Sequence, residues 1–210
     1  AYECFHTIKK KRAGKEGLCA INLDMHKAYD RVEWPFLKEI MLKLGFHEVW
    51  VNFIMECVST VEYRIRFNAE ESESFKPTRG LRQGDPLSPY LFLLCTEGLI
   101  ALLTHVEENG NISGVKVCRD APSVTNLLFA DDSLILMKAN LQSAKALKLI
   151  IDLYCAASGQ MASVDKSSIF FSPNTSVEIR EQMCTILNIM TQAPNNKYLG
   201  IRIARQCGFN

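Results

Sequence analysis

The sequence predicts an α+β fold, a mostly antiparallel sheet with helices packed on one side. Three observations carry this. Short apolar runs of strand length are interleaved with longer stretches whose apolar residues recur at helical spacing. Strand-like runs at Gly114–Cys118, Thr125–Phe129 and Ser133–Lys138 follow one another, the last two parted only by Ala130-Asp131-Asp132, so they read as a hairpin rather than a parallel crossover. With 48% hydrophobic and 22% charged residues, the 210-residue chain has enough apolar material for one core, which excludes disorder and collagen-like fibre.

In chain order, Leu18-Cys19-Ala20-Ile21-Asn22-Leu23 is a buried strand closed by Asp24. Glu33-Trp34-Pro35 opens a helix with proline in its first turn, carried by Phe36, Leu37, Ile40, Met41 and Leu44 to Gly45. A second helix presents Trp50, Phe53, Ile54 and Cys57. Val61, Tyr63, Ile65 and Phe67 then alternate with polar residues as in a half-exposed strand, turning at Asn68–Ser74. Ser88-Pro89 starts a core helix whose buried face runs from Leu91 to Val106, ending near Asn109-Gly110. After the hairpin, Asn140 caps a helix that Gly159 stops. Ser167–Phe171 is a strand, Thr175 and Glu178 have capping-box spacing before a helix over Val177–Leu187, and Tyr198–Ile203 is a last strand. The predicted order is β-α-α-β-α-β-β-β-α-β-α-β.

No repeat or Pro/Gly-rich linker divides the chain. Its longest uninterrupted apolar run is Tyr90 to Cys95, far short of the ~18 residues of a spanning helix, so no membrane association is expected. The opening Ala1–Lys10 has no signal-peptide layout and reads as the cut edge of a longer chain. Eight cysteines, none closer than the 15 positions between Cys4 and Cys19, argue for reduced, mostly buried thiols. Without a Cys-x-x-Cys pair, and with scattered His6, His26, His47 and His105, zinc is not indicated; any metal must be held by carboxylates. A net charge of +1 argues mildly against a stand-alone nucleic-acid module. The dense basic patch of Lys9, Lys10, Lys11, Arg12 and Lys15 suits either a phosphate backbone or a solvated helix end.

Asp24 and the Asp131-Asp132 pair stand at strand ends of one sheet and are able to converge. Clustered carboxylates repel unless a divalent cation neutralises them, and oxygen-only ligands suit Mg²⁺ or Mn²⁺, which points to phosphoryl chemistry. The plain alternative is a turn cap and an ordinary hairpin tip, where Asp is common. Between them, Arg79–Pro89 is a glycine-bearing polar loop feeding a helix N-terminus, suited to a phosphate or to close backbone approach, or else a plain capped loop.

Leu23-Asp24-Met25-His26-Lys27-Ala28-Tyr29-Asp30-Arg31-Val32, Gly80-Leu81-Arg82-Gln83-Gly84-Asp85-Pro86-Leu87-Ser88-Pro89 and Phe129-Ala130-Asp131-Asp132 resemble three successive signatures of reverse transcriptases. The likeness is greatest to non-LTR, LINE-type retrotransposons, plant ones above all, with group II intron enzymes as cousins. One four-residue match at ~5% per position arises by chance in about one chain of this length in a thousand. Three in order do not. The resemblance runs from about Tyr2 to Gly200 and implies a polymerase palm.

The resemblance implies roles position by position. Asp24 and Asp131 would be principal ligands of two Mg²⁺ ions, with Mn²⁺ as a substitute, Asp132 the third carboxylate and the Met25 backbone carbonyl a further ligand. Tyr29 would lie under the incoming sugar and exclude a 2′-hydroxyl, its alternative being core packing. Arg82, Gln83 and Gly84 would contact template and nucleotide, while Asp85 and Pro86 fix the turn. Lys166 would protonate departing pyrophosphate as a general acid, a task suited to a movable ammonium. Its surroundings depart from the family pattern at Ser163, where Asn is usual. Tyr198, Leu199 and Gly200 would belong to the primer grip.

The expected organisation is therefore a truncated palm over 1–210, with 1–17 a remnant of the fingers connection and 198–210 the start of the primer-grip region. Fingers, thumb and endonuclease are expected to be missing. The implied activity is RNA-directed DNA synthesis with an RNA template, a DNA primer and deoxynucleotides. The competing reading is an inactive retrotransposon relic, at most a binding module; a third is an intron-type enzyme that aids RNA folding. An integrating element implies the nucleus, although no targeting signal is seen.

Overall fold

The computed structural model describes residues 1–129 and 132–189, together with the backbone of 197–198 and 201–202; of residue 129, too, only the backbone is described. The chain divides into two compact units, one made of Ala1–His26, Leu99–Leu153 and Ala162–Asn210, the other of Lys27–Gly98 and Tyr154–Met161.

The first unit is built on a four-stranded sheet. Its strands are β1 (Gly17–Asp24), β4 (Asn126–Phe129), β5 (Asp132–Ala139) and β6 (Ser168–Phe171), in the order β4-β5-β1-β6 with every pairing antiparallel. The apolar run predicted for the first strand is β1, and it is buried along nearly its whole length because both faces are covered. Ala20, Leu18, Leu134 and Leu136 share one face with Cys4, Phe5 and Ile8 of helix α1 (Tyr2–Lys10), and Phe5 meets Phe170 edge-on at 6.1 Å. Side-chain alternation turns Cys19 to the opposite face, where Cys184 of helix α6 (Val177–Leu187) adds to the upward push on its thiol. The α+β class is as expected; what the sequence reading lacks is α1, so the helices expected on one side are joined by one on the other. Its Cys4, Phe5 and Ile8 had the right spacing, but they lie in a strongly polar stretch.

Helix α5 (Leu141–Ser158) starts as predicted, with Asn140 Oδ1 accepting from the Ser143 N–H at 2.8 Å. Helix α6 is capped one residue later than predicted. Ser176, not Thr175, accepts from the Ile179 N–H, because the Thr175 hydroxyl is taken up in the preceding turn beside Ser172 Oγ. The expected strand at Gly114–Cys118 shrinks to a single bridge, Val115 to Val124. The expected strand at Tyr198–Ile203 is instead a backbone hairpin of β7 (Lys197–Tyr198) and β8 (Ile201–Arg202); position 203 lies outside the described residues.

The second unit holds helices α2 (Trp34–Lys43) and α3 (Glu48–Ser59) and the first half of α4 (Ser88–Glu108), whose second half belongs to the first unit. Gly98 lets Phe36 and Ile40 of α2 close on α4; an added Cβ would sit 3.1 Å from the Phe36 ring. On α3 the buried residues are Val51 and Ile54, whereas Trp50, Phe53 and Cys57 are exposed, so the predicted apolar face is rotated. The predicted strand over Val61–Phe67 is a loose hairpin instead. Only Arg66–Phe67 (β2) and Glu70–Glu71 (β3) pair, with a bridge from Tyr63 to Phe75, and the alternating Ile65 and Phe67 face solvent. Helix α4 is long and apolar enough by length and composition to cross a membrane, and one face of it, bearing Leu91, Phe92, Cys95, Leu99 and Leu103, is buried within the fold.

Candidate active site

Within the first unit, the β1–β5 register places Asp24 directly opposite Asp132 at the end of the ladder. Side chains of directly paired antiparallel residues project from the same face, with Cβ atoms ~4.5–5.5 Å apart. Two acids are thereby held together by backbone pairing alone. The Oδ1 of Asp24 is buried and has no hydrogen-bond partner among the described residues. A buried carboxylate oxygen left in that state is costly unless a cation or donor reaches it. Asp131 lies outside the described residues, between the paired Phe129 and Asp132. Among the described residues no group of three His, Cys, Asp or Glu side chains comes together. The donor set present, two carboxylates from one strand pair, fits a hard divalent cation in its chemistry.

The turn that bears Lys166 is fastened to this strand end. The Ser163 N–H donates to the Asp24 carbonyl at 2.8 Å, and the Asp24 N–H donates to Ser167 Oγ at 3.1 Å. A further Ser167 N–H bond to the Ser163 carbonyl at 2.9 Å closes the turn, with Lys166 exposed at its rim. Met25 bridges Ala162, and the bond flanking that bridge uses the Asp24 carbonyl, so Met25's own carbonyl is not its acceptor. Ser163, where the family pattern has Asn, thus serves through its backbone, which any residue but proline supplies.

The second unit assembles the other motif residues. The Tyr29 ring stacks on Phe92 with centroids 4.8 Å apart, and its carbonyl accepts from the Leu81 N–H at 2.8 Å. Gly80 donates its N–H to the Val32 carbonyl, and its own carbonyl accepts from Trp34 Nε1 at 2.8 Å. Glycine is required there: φ is +91°, and a Cβ would lie 2.8 Å from the Asp30 carbonyl oxygen. Beyond this anchor Arg82 and Gln83 line a cleft of about 490 Å³, together with Asp30, Tyr63, Phe75 and Arg79. Gly84 has φ +85° and open space around it. Asp85 fixes the turn into α4, its Oδ1 accepting from the Leu87 N–H at 2.8 Å.

Sequence reasoning passed over the clamp on the Tyr29 segment. Gln160 Nε2 donates to the Ala28 carbonyl at 2.7 Å, Arg31 Nε to the Gly159 carbonyl at 3.0 Å, and the Glu33 N–H to the Ser158 carbonyl at 3.0 Å. Ser158-Gly159-Gln160 is therefore a positioning element, and Gln160 is buried; in the sequence the triplet is legible only as motif residues ahead of Lys166. Of the residues expected at the primer grip, Tyr198 is described by backbone alone, and Leu199 and Gly200 lie outside the described residues.

The geometry and the comparisons with known proteins agree on a class. The family described as reverse transcriptase (RNA-dependent DNA polymerase) matches residues 3–203, and the chain belongs to that family. Among its relatives is an uncharacterized mitochondrial protein of Arabidopsis thaliana, 56% identical over 57 residues, which are 27% of this chain and 47% of that protein. Another is the retrovirus-related Pol polyprotein from a type-1 retrotransposable element R2 of Popillia japonica. It is 30% identical over 131 residues, 62% of this chain and 21% of the polyprotein, so the chain spans less than half the length of either relative. The fold matches a telomerase from Candida tropicalis, solved in complex with a fragment of telomeric RNA, with a TM-score of 0.60 at 16% identity, covering 83% of this chain and 29% of that one.

Proposed function

We propose that the chain is the palm of an RNA-directed DNA polymerase of the non-LTR retrotransposon kind, joining deoxynucleotides to a DNA primer on an RNA template. The observation that carries the proposal is the direct pairing of Asp24 with Asp132, with a buried Asp24 oxygen lacking a partner among the described residues. The primer 3′-hydroxyl gives up its proton to water and its oxygen attacks the α-phosphorus; a new P–O bond forms, the bond from the α-phosphorus to the bridging α–β oxygen breaks, and pyrophosphate leaves with its electrons. Asp24, Asp132 and, by its motif, Asp131, with the Met25 carbonyl, would hold divalent metal, Mg²⁺ or Mn²⁺, which supplies charge neutralisation at the transferring phosphoryl group.

The chain's own residues do the rest. Lys166, on the turn tied to Asp24, delivers a proton to the pyrophosphate oxygen. Tyr29, its ring backed by Phe92, meets the sugar edge where a 2′-hydroxyl would stand. Arg82 and Gln83 bring donors to template and nucleotide, and Gly84 leaves room for close approach. Tyr198, Leu199 and Gly200 cradle the primer end. The test is primer extension on an RNA template with Mg²⁺ and deoxynucleotides, the chain beside its Asp24→Asn variant. Extension that falls by ~100-fold or more in the variant supports the proposal. Equal extension by both, or a folded chain that binds primer and template yet adds no nucleotide, overturns it.

A further inference from the structure

Gly17 pairs with Ala139 and Asp24 with Asp132, so the two ends of the β1–β5 ladder lie seven residues apart, ~23 Å at ~3.3 Å per residue. At the end away from the carboxylates is a second cleft, of about 520 Å³, lined by Lys11, Lys116, Lys138, Ser113, Ser123 and Glu107 among others. Its rim continues into the loop that bears Arg12 and Lys15. We propose that this cleft and loop form a second binding surface for a phosphodiester backbone, distinct from the catalytic end of the sheet.

Two acids face these cations, and both are engaged. Glu16 is bridged to Lys138 Nζ at 2.8 Å, and its carboxyl is held below the ordinary range by the hydrogen bond and charge of Lys138, with Lys11 adding to the effect. Glu107 accepts the Thr125 hydroxyl. Arg12, Lys15 and Lys116 make no ion pair among the described residues, and all three are exposed. Loops of this composition are usually mobile, yet here Asn174 holds one in place. Its Nδ2 donates toward the carbonyls of Gly14 and Glu16 at 3.0 Å each and Ala13 at 3.4 Å, and its N–H reaches the Lys11 carbonyl. Asn174 is itself fixed by Ser172 Oγ, which donates to its Oδ1 at 2.6 Å and also accepts from the Leu18 N–H. Charge repulsion disfavours such a cluster in the free chain; an amide clamp that orders it lowers the entropy lost on meeting a row of phosphates. A row of point charges with no aromatic stacking platform in the cleft suits backbone contact without base readout.

The surface needs no catalysis, so its test reads binding alone. Fluorescence anisotropy with labelled single-stranded RNA and DNA of one sequence is measured across salt for the chain and for Lys11→Gln/Arg12→Gln/Lys15→Gln, all surface changes, with circular dichroism to verify folding. The triple variant is expected to bind at least tenfold more weakly at low salt, with a log–log salt slope smaller by about 2, since each phosphate contact on a single strand contributes ~0.7. Lys43→Gln with Lys145→Gln, exposed cations of α2 and α5 outside both this surface and the carboxylate end, should keep the parent slope, which separates a local surface from a general loss of positive charge. An unchanged affinity and slope in the triple variant, or no binding by the parent at low salt, overturns the proposal. Equal loss on RNA and DNA identifies the phosphates as the ligand; loss on RNA alone would assign the contact to the 2′-hydroxyl and overturn the backbone reading.

Discussion

Asp24 faces Asp132 across the final rung of the β1–β5 ladder, and the carbonyl and N–H of the same Asp24 are both bonded to the turn that carries Lys166. Acid pair and lysine turn are thus one backbone assembly. The ladder fixes the two backbone positions opposite each other, so a cation that joins the carboxylates should stabilise the fold. With Mg²⁺ at ten times its dissociation constant the gain is ~1.4 kcal/mol, a rise in melting temperature of roughly 3–6 °C. Asp24→Asn should abolish most of that rise while leaving the metal-free melting temperature equal or slightly higher. Thermal melts with and without Mg²⁺ check both; a variant that responds to Mg²⁺ as the parent does would contradict the assignment.

Gly80 and Gly84 share a loop and a positive φ, but their surroundings differ. A Cβ at Gly80 meets the Asp30 backbone at 2.8–3.2 Å, and at Gly84 it meets nothing within 4 Å. Gly84→Ala should therefore cost only the conformational strain, about 1 kcal/mol, whereas Gly80→Ala should cost about 2–4 kcal/mol by adding a backbone clash. Urea unfolding of the two variants measures the difference, and equal losses would mean that the loop moves freely away from Asp30.

What the sequence made legible follows from where each signal is stored. The Leu18–Leu23 run announced β1 because a strand covered on both faces must be apolar throughout, and the hairpin signal held because its turn is short and local. The alternation over Val61–Phe67 misled because Ile65 and Phe67 are exposed, so the period carried no burial. Asp24 and Asp132 were legible as motif residues. The clamps around them were not, since Gln160 reaches Ala28 across 132 positions and Ser167 reaches Asp24 across 143, distances at which no local pattern exists.

The cysteines divide by burial rather than being mostly buried as expected. Among those described, Cys4, Cys19 and Cys95 are buried, and Cys57 and Cys118 exposed. Desolvation pushes the Cys95 thiol up to about 12 and Cys19 higher still, so neither forms thiolate near neutrality. Iodoacetamide at pH 8 should label Cys57 and Cys118 first and spare Cys19 and Cys95, as peptide mass spectrometry would show. The same shifts set a stability limit. Raised folded values mean that stability is fully present below the unfolded value of 9.0 and declines as pH rises through 9 toward 12, where only the unfolded thiols ionise. Urea midpoints at pH 8 and pH 10 should fall in that order, and Cys95→Ala should narrow the gap.

Tyr29 separates a scaffold role from a selective one. The Tyr29 carbonyl, not its ring, anchors Leu81, so a side-chain change leaves the loop tied to the Tyr29 backbone. The ring lies within 17° of parallel to Phe92, which fixes its plane and lets its outer edge act as a wall. If that wall excludes a 2′-hydroxyl, Tyr29→Val should raise ribonucleotide over deoxynucleotide incorporation by ~10-fold or more, since a steric block of 1–3 kcal/mol is removed. Tyr29→Phe keeps the ring and its stack and should discriminate as the parent does. Competition assays in the active chain read the ratio directly, and a ratio unchanged in Tyr29→Val, with stability lowered by the lost packing, would reduce Tyr29 to a core residue.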